Sequence, residues 1–237
     1  GCALLGAEIM SPHRPAAELL AQQLLNIPLF AQLPGSARQS LAQASRWREY
    51  QSGDVVVWEG EAEPGLYYLQ YGWLKVIKTS AAGREQILRF LEPGETFNEV
   101  GVFANHANPA TAVALEPAGV WFIPRDQLLI LLREQPEFAQ HVIAGMAERM
   151  LYLVSLVTDL SLRSTSERLA RLLVEDADED VLHRPRWYTQ AELAARLGTV
   201  PDVIQRALRG LENDGFIAVE RHQIRILDRD ALIAMAC

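Results

Sequence analysis

The apolar positions change period along this chain, and each change marks an element. Residues 16–25, AAELLAQQLL, carry helical spacing, and Ser36 is placed to cap a second helix running through Ser45. From Trp47 to about Pro124 the pattern becomes short runs: VVVWEGE, GLYYLQYGWLKVIK, EQILRFL, TAVALE and GVWFI. These are rich in β-branched and aromatic residues, and Gly53, Gly60, Gly65, Gly72, Gly83, Gly94 and Gly119 punctuate them. Repeated short strands with glycine turns predict a sandwich, jelly roll or small barrel. Trp47, Trp58, Trp73 and Trp121 are assigned to its core or to a pocket wall.

Helical spacing resumes at Asp126 and, after Pro136, runs with few breakers to about Leu162. Ile143, Met146, Met150, Leu153, Val157 and Leu160 step by 3, 4, 3, 4 and 3. That a/d stripe is narrow, as a helix–helix seam requires, and predicts a parallel dimer. The competing reading is a helix lying on its own domain. Ser164 followed by Glu167 forms an S-x-x-E capping box, so residues 161–165 are a hinge and SERLARLLVEDA a new helix. The acidic run 175–180 reads as a solvated loop.

The stretch TQAELAARLGTVPDVIQRALR, residues 189–209, then gives two short helices around a tight turn. Thr189 and Glu192 have capping-box spacing, Gly198 suits the left-handed end of the first helix, and Pro201 suits the first turn of the second. Ile204, Leu208 and Leu211 face a core, which leaves Asp202, Gln205, Arg206 and Arg209 outward. This is the layout of a helix-turn-helix. The residues GFIAVERHQIRIL give two strands around Glu220–His222, the wing of a winged helix, and DALIAMA a last helix. The fold class is therefore α+β: an N-terminal β-roll at 16–135, a dimerisation helix with its hinge at 136–163, and a winged helix-turn-helix at 164–237.

Composition adds little to this and removes some alternatives. The 237 residues are 49% hydrophobic and 22% charged, enough for real cores. No run approaches a membrane span. GCALLGAEIM lacks the basic start and long apolar centre of a secretory signal, and Met10 is the expected original start. The net charge of −8 opposes a nonspecific nucleic-acid coat, but residues 183–225 carry seven arginines against five acids. A locally basic face can still neutralise phosphates. The two cysteines, Cys2 and Cys237, form no metal spacing and suit a reducing cytoplasm; an iron–sulfur cluster would need about four thiolates. His13, His106, His141, His183 and His222 are scattered, so no metal site is expected.

The order β-roll, seam helix, hinge and winged helix resembles the cyclic-AMP receptor protein/FNR (CRP/FNR) superfamily of bacterial transcription regulators. Three blocks carry the resemblance: EGEAEPGLYYLQYGWLKVIK, PGETFNEVGVF and TQAELAARLGTVPDVIQRALRGLENDGFI. It implies a cytoplasmic homodimer with an effector in the β-roll, two reading helices in successive major grooves of double-stranded DNA, a roughly palindromic operator, and RNA polymerase as a partner. The family's reading-helix motif R-E-x-x-x-R falls here on Pro201, Asp202 and Arg206. Arg206 is retained and suits guanine O6 and N7. Asp202 is placed to accept from cytosine N4 or to orient Arg206, and Gln205 to read adenine, while Pro201 loses one family contact. Thr189, Gln190 and Arg209 are expected on phosphates.

Cyclic-nucleotide binders of the family carry a G-E pair and then R-S or R-T, the arginine pairing the cyclic phosphate. Here Asn98-Glu99 stands at the first pair, and Asn108-Pro109 or Pro109-Ala110 at the second. Asn98, Glu99, Asn108 and Thr111 are the pocket candidates. With no arginine, an effector other than cyclic AMP is expected, its identity unknown. His106 lies in a loop near the pocket, where some gas-sensing relatives hold haem, though an exposed loop histidine is the stronger reading. Two rivals remain: a ligand-binding β-roll whose helical domain contacts protein, and a cupin-like metalloenzyme.

Overall fold

The computed structural model describes residues 15–62, 65–104 and 106–236. Met10, Cys2, His13 and Cys237 lie outside them. The chain begins with α1 (Ala17–Gln23), a short 3-10 turn and α2 (Gly35–Ala44). Ser36 falls inside α2, whose N-cap is Pro34 without a side-chain cap, so the expected serine cap is corrected. Strands β1 (Arg46–Tyr50), β2 (Val55–Val57), β3 (Gly65–Tyr71), β4 (Leu74–Thr79), β5 (Glu85–Leu91) and β6 (Thr96–Phe97) follow. A five-residue helix, α3 (Glu99–Phe103), interrupts them before β7 (Thr111–Ala114) and β8 (Ala118–Pro124).

These strands form two four-stranded antiparallel sheets, in the orders β1-β8-β3-β6 and β2-β7-β4-β5. The alternation of side chains explains why β8 is buried along nearly its whole length. Val120 and Phe122 point into the space between the sheets, with Tyr67, Leu69, Leu74 and Phe97. Trp121 and Ile123 point outward into a second core with Leu20, Leu24, Phe30 and Leu41 of the N-terminal helices. A strand covered on both faces loses the apolar–polar alternation that marks a half-buried one. Gly72 turns β3 into β4 with φ +86°, and a Cβ there would meet the Pro117 carbonyl at 2.5 Å. The tryptophans divide: Trp121 is fully buried and Trp47 packs on it, but Trp58 is 54% exposed because β2 ends at Val57.

Helix α4 (Arg125–Glu134) leads into α5 (Pro136–Leu162), whose 27 residues span about 40 Å at ~1.5 Å per residue. Its first turns are built into the β-roll: Phe138 stacks on Phe30 at 5.8 Å, and Val142 is buried. Farther along, the helix touches the edge of the sheet, where the Tyr152 hydroxyl donates to the Leu88 carbonyl at 2.6 Å. At its end Ser164 caps α6 (Thr165–Asp176), and the box is complete, with Glu167 N–H donating to Ser164 Oγ at 3.3 Å and Ser164 N–H to Glu167 Oε2 at 2.6 Å. Hydrogen bonds to the carboxylate from the Ser164 backbone N–H and then from its hydroxyl hold the Glu167 carboxyl below its ordinary value. Asp159 braces the joint by pairing with Arg163 and, at 3.0 Å, with Arg171.

The first two residues of the acidic run, Glu175 and Asp176, belong to α6 and not to the expected loop, and past the run comes β9 (Val181–His183), a strand the sequence reading did not assign. Then follow α7 (Gln190–Arg196), α8 (Pro201–Asn213), β10 (Ile217–Val219), β11 (Gln223–Ile226) and α9 (Arg229–Ala236). The wing is three-stranded, in the order β10-β11-β9. Leu169, Leu173, Leu193, Ile204, Leu208, Ile224 and Leu232 form a separate core here. No helix among the described residues is long and apolar enough to cross a membrane.

Candidate nucleic-acid interface

Helices α7 and α8 are set by their ends. Thr189 Oγ1 accepts from Glu192 N–H at 3.3 Å and so caps α7. The returning arm of the expected box is absent, because the Glu192 carboxylate turns instead to Lys75 Nζ at 3.0 and 3.2 Å. Gly198 closes α7 with φ +67°, where a Cβ would meet Leu160 Cδ2 at 2.6 Å. Pro201 then opens α8 as its first residue. Ile204, Ala207, Leu208 and Leu211 are buried beneath, while Pro201, Asp202, Gln205, Arg206 and Arg209 all stand exposed. Among the described residues the Arg206 side chain makes one hydrogen bond, from Nε to the Asp202 carbonyl at 3.4 Å, so the Asp202 backbone and not its carboxylate accepts from it.

Beside α7 lies an open groove of about 490 Å³, lined by Arg184, Arg186, Thr189, Gln190, Arg221 and His222 among others. It arises because Arg184 N–H donates to the His222 carbonyl at 2.7 Å, drawing the wing against the start of α7. Two of the three expected phosphate residues, Thr189 and Gln190, thus sit with three arginines that sequence reasoning counted but did not place, while Arg209 lies on α8 outside the groove lining. Among the described residues Arg186, Arg209 and Arg221 make no hydrogen bond or ion pair. Two other arginines of the basic stretch are used internally: Arg196 pairs with Asp176, and Arg225 with Glu220 at 2.8 Å. A run of charge therefore overstated the binding face in number and hid its location.

The helix-turn-helix also packs on the β-roll. Trp187 lies 5.3 Å from both Trp73 and Phe90, ring centre to ring centre, and Tyr188 lies 5.3 Å from Phe90. Lys75 bridges Glu85 at 2.9 Å and Glu192. Burial disfavours its charge, but the hydrogen bonds to both carboxylates more than offset this and hold its pKa above the ordinary lysine value. Gln86 Nε2 donates to the Arg196 carbonyl at 3.1 Å. Burial pushes the Tyr188 hydroxyl up. Burial also works against the Arg196 charge, which Tyr188 and Asp176 outweigh, so it stays above its ordinary range. The face of α8 is left clear by this docking.

The pocket candidates gather around α3. Asn98 takes the left-handed conformation, φ 76°, and donates through Nδ2 to the Gly65 carbonyl at 2.9 Å. Gly101 lets Asn98 and Asn108 meet, since a Cβ would lie 2.9 Å from Asn98 Oδ1 and 3.1 Å from Asn108 Oδ1. Asn108 is 3% exposed; its Nδ2 donates to the Trp58 carbonyl at 3.1 Å, and its Oδ1 has no hydrogen-bond partner among the described residues. Glu99 accepts from Thr96 Oγ1 at 3.1 Å, and Thr111 Oγ1, at the start of β7, accepts from Glu59 N–H at 3.1 Å, in the turn after β2. The Pro109 carbonyl accepts from Lys78 Nζ at 2.9 Å. His106 is exposed. Among the described residues no three His, Cys, Asp or Glu side chains gather as a metal site.

The fold and this face define a two-domain regulator with a sensor-like β-roll and a winged-helix DNA-binding domain. Comparison with known proteins agrees. Residues 47–135 match the cyclic nucleotide-binding domain family, and residues 167–235 the Crp-like helix-turn-helix domain family. The cyclic AMP receptor protein of Thermus thermophilus is 30% identical over 173 residues, covering 72% of this chain and 78% of the relative. The probable transcriptional regulator flp of Lacticaseibacillus casei is 29% identical over 208 residues, covering 86% and 93%. The structure of FixK2 from Bradyrhizobium japonicum superposes with a TM-score of 0.72 at 21% identity, over 81% of this chain and 98% of that one, a likeness of fold. This chain belongs to the CRP/FNR family of bacterial transcription regulators.

Proposed function

We propose that this regulator is a cytoplasmic homodimer that reads a near-palindromic operator with Asp202, Gln205 and Arg206 and grips phosphates through Thr189, Gln190, Arg209 and the wing arginines. The observation that carries this reading is the exposed, uncommitted outer face of α8 beside the groove of Arg184, Arg186 and Arg221. Ile143, Met146, Met150, Leu153, Val157 and Leu160 form the seam, which sets two reading helices roughly 34–36 Å apart. Four of them, Ile143, Met150, Leu153 and Val157, are 41–68% exposed in one chain, an apolar stripe that a second copy would cover. RNA polymerase is the partner such a regulator addresses, and we assign the chain no catalytic role.

The test is selection of bound sequences from a random DNA pool. Recovery of a two-half-site motif supports the reading, and only salt-insensitive or no binding opposes it. The wing makes its own prediction. Each phosphate contact contributes about 0.9 to the salt slope, and the double substitution Arg184→Gln, Arg221→Gln removes two arginines from each protomer of the dimer, so it should flatten the plot of log K against log salt by up to about 3.6 and weaken all sequences alike. Filter binding at several salt concentrations reads it.

The effector of the β-roll is a molecule other than cyclic AMP held in the family's orientation. The loop after α3 offers Pro109 and Asn108 to a phosphate, and neither is a cation. Calorimetry with cyclic AMP should show no binding that Glu99→Ala weakens; a loss of about tenfold on that substitution would overturn this point.

A further inference from the structure

The first helix of the helix-turn-helix, α7, is seated on the sensor at both of its ends. Its approach is held by Trp187, 5.3 Å from both Trp73 and Phe90, and by Tyr188, 5.3 Å from Phe90. Its first turn is held by Glu192, whose carboxylate accepts from Lys75 Nζ at 3.0 and 3.2 Å. Its far end is held by Gln86, whose Nε2 donates to the Arg196 carbonyl at 3.1 Å. There Gly198 leaves room for Gln86 Oε1 and for Leu160 Cδ2 of the seam helix. Trp73 directly precedes β4, Lys75 lies on β4, and Gln86 and Phe90 lie on β5, so one paired ribbon of the β-roll carries the whole seat.

The ion pair decides whether this seat is kept. The side chains of Lys75 and Glu192 are only 12% and 18% exposed, so each charge is largely removed from water and depends on the other. Trp187 Nε1 is buried with no hydrogen-bond partner among the described residues, a cost that the docked arrangement carries. Glu192 also has somewhere else to go. Thr189 N–H, which a capping box would give to Glu192, donates here to the Trp187 carbonyl at 2.9 Å. An undocked α7 would satisfy Glu192 within its own helix, so the two arrangements compete. The docking residues alternate with those that face DNA: Arg184, Arg186, Thr189 and Gln190 line the open groove, while Trp187 and Glu192 turn to the sensor. Fixing one side of this segment fixes the other, and groups already ordered lose less freedom when they bind.

We propose that Lys75 is a positioning residue for DNA binding: through Glu192, and with Trp73 and Gln86 beside it, it holds Arg186, Thr189 and Gln190 in their phosphate-gripping arrangement. This rests on the reading of the groove as a phosphate grip. Lys75 touches no DNA itself, because its ammonium is enclosed between Glu85, at 2.9 Å, and Glu192. The contact gives the β-roll a route to the reader that does not pass through the hinge at residues 161–165. A shift of the β4–β5 ribbon moves α7 directly, and with it the near side of the groove.

The test separates positioning from charge. Lys75→Met removes a positive charge and Glu192→Gln a negative one. Plain attraction to DNA predicts that the first weakens binding and the second strengthens it, whereas positioning predicts that both weaken it. The probe is a labelled random-sequence duplex, which suffices because phosphate contacts carry no sequence. In the full chain at fixed salt, each substitution should lower affinity by at least about fivefold. Combining the two should do no more than the worse of them, because the pair is already broken. Lys75→Glu combined with Glu192→Lys keeps the same three charges, restores the pair and should recover the parent affinity. Helix content by circular dichroism shows that each variant is folded; should Lys75→Met not fold, Glu192→Gln and the exchanged pair decide. Opposite shifts in the two single variants, unchanged affinity in both, or a folded exchange that does not recover binding overturns the proposal and leaves the regulator reading standing. A parent chain that binds no DNA overturns both.

Discussion

Arg206→Ala should remove sequence selectivity while leaving most nonspecific DNA affinity in place. A bidentate contact to guanine discriminates by about 1–3 kcal/mol, so affinity for the selected operator should fall roughly 5- to 150-fold in each half-site. Affinity for unrelated DNA loses only one charge. The structure makes this a clean substitution, because Arg206 is exposed and its one side-chain hydrogen bond among the described residues is a 3.4 Å approach to a backbone carbonyl. The melting temperature should therefore be unchanged. Competition shift assays with operator and scrambled DNA read the difference. Equal losses on both DNAs would mean that Arg206 contacts a phosphate, and no loss on either would remove α8 from the groove.

The second large effect is expected at the seam. Met150→Asp with Val157→Asp places two charges at positions 64% and 63% exposed in one chain but enclosed in the proposed dimer. Each unpaired charge buried at an interface costs about 3–5 kcal/mol, so dimer dissociation should rise by at least about a hundredfold. Sedimentation should then find a monomer with native helix content, since neither side chain supports the core of its own chain. Operator binding should collapse with it, because a single reading helix loses the second half-site. A variant that remains dimeric would move the seam elsewhere on α5, where Leu151, Val154 and Leu162 are also exposed.

The reading helix shows how far a local pattern reaches. Pro201 at the first turn and the apolar spacing of Ile204, Leu208 and Leu211 fix which face of α8 is buried, and those signals lie within one segment. The stripe on α5 was legible for the same reason, as was the complete Ser164–Glu167 box. The second box was half legible. Thr189 caps as its spacing requires, but Glu192 answers to Lys75, far away in sequence. Ser36 failed similarly, since a capping residue type does not say which backbone turns first. The strand β9 and the helix α3 are too short to carry a period.

The charges divide along the same line. Seven arginines between 183 and 225 were countable, but only folding tied Arg196 to Asp176 and Arg225 to Glu220, and left Arg184, Arg186 and Arg221 around one groove. What the sequence determined by itself was the succession of elements and the buried side of each, because periodicity and end chemistry act over a few residues. What only the tertiary structure decided was which charges neutralise one another and which stay free for DNA or an effector, because ion pairing depends on distances that close through the folded chain.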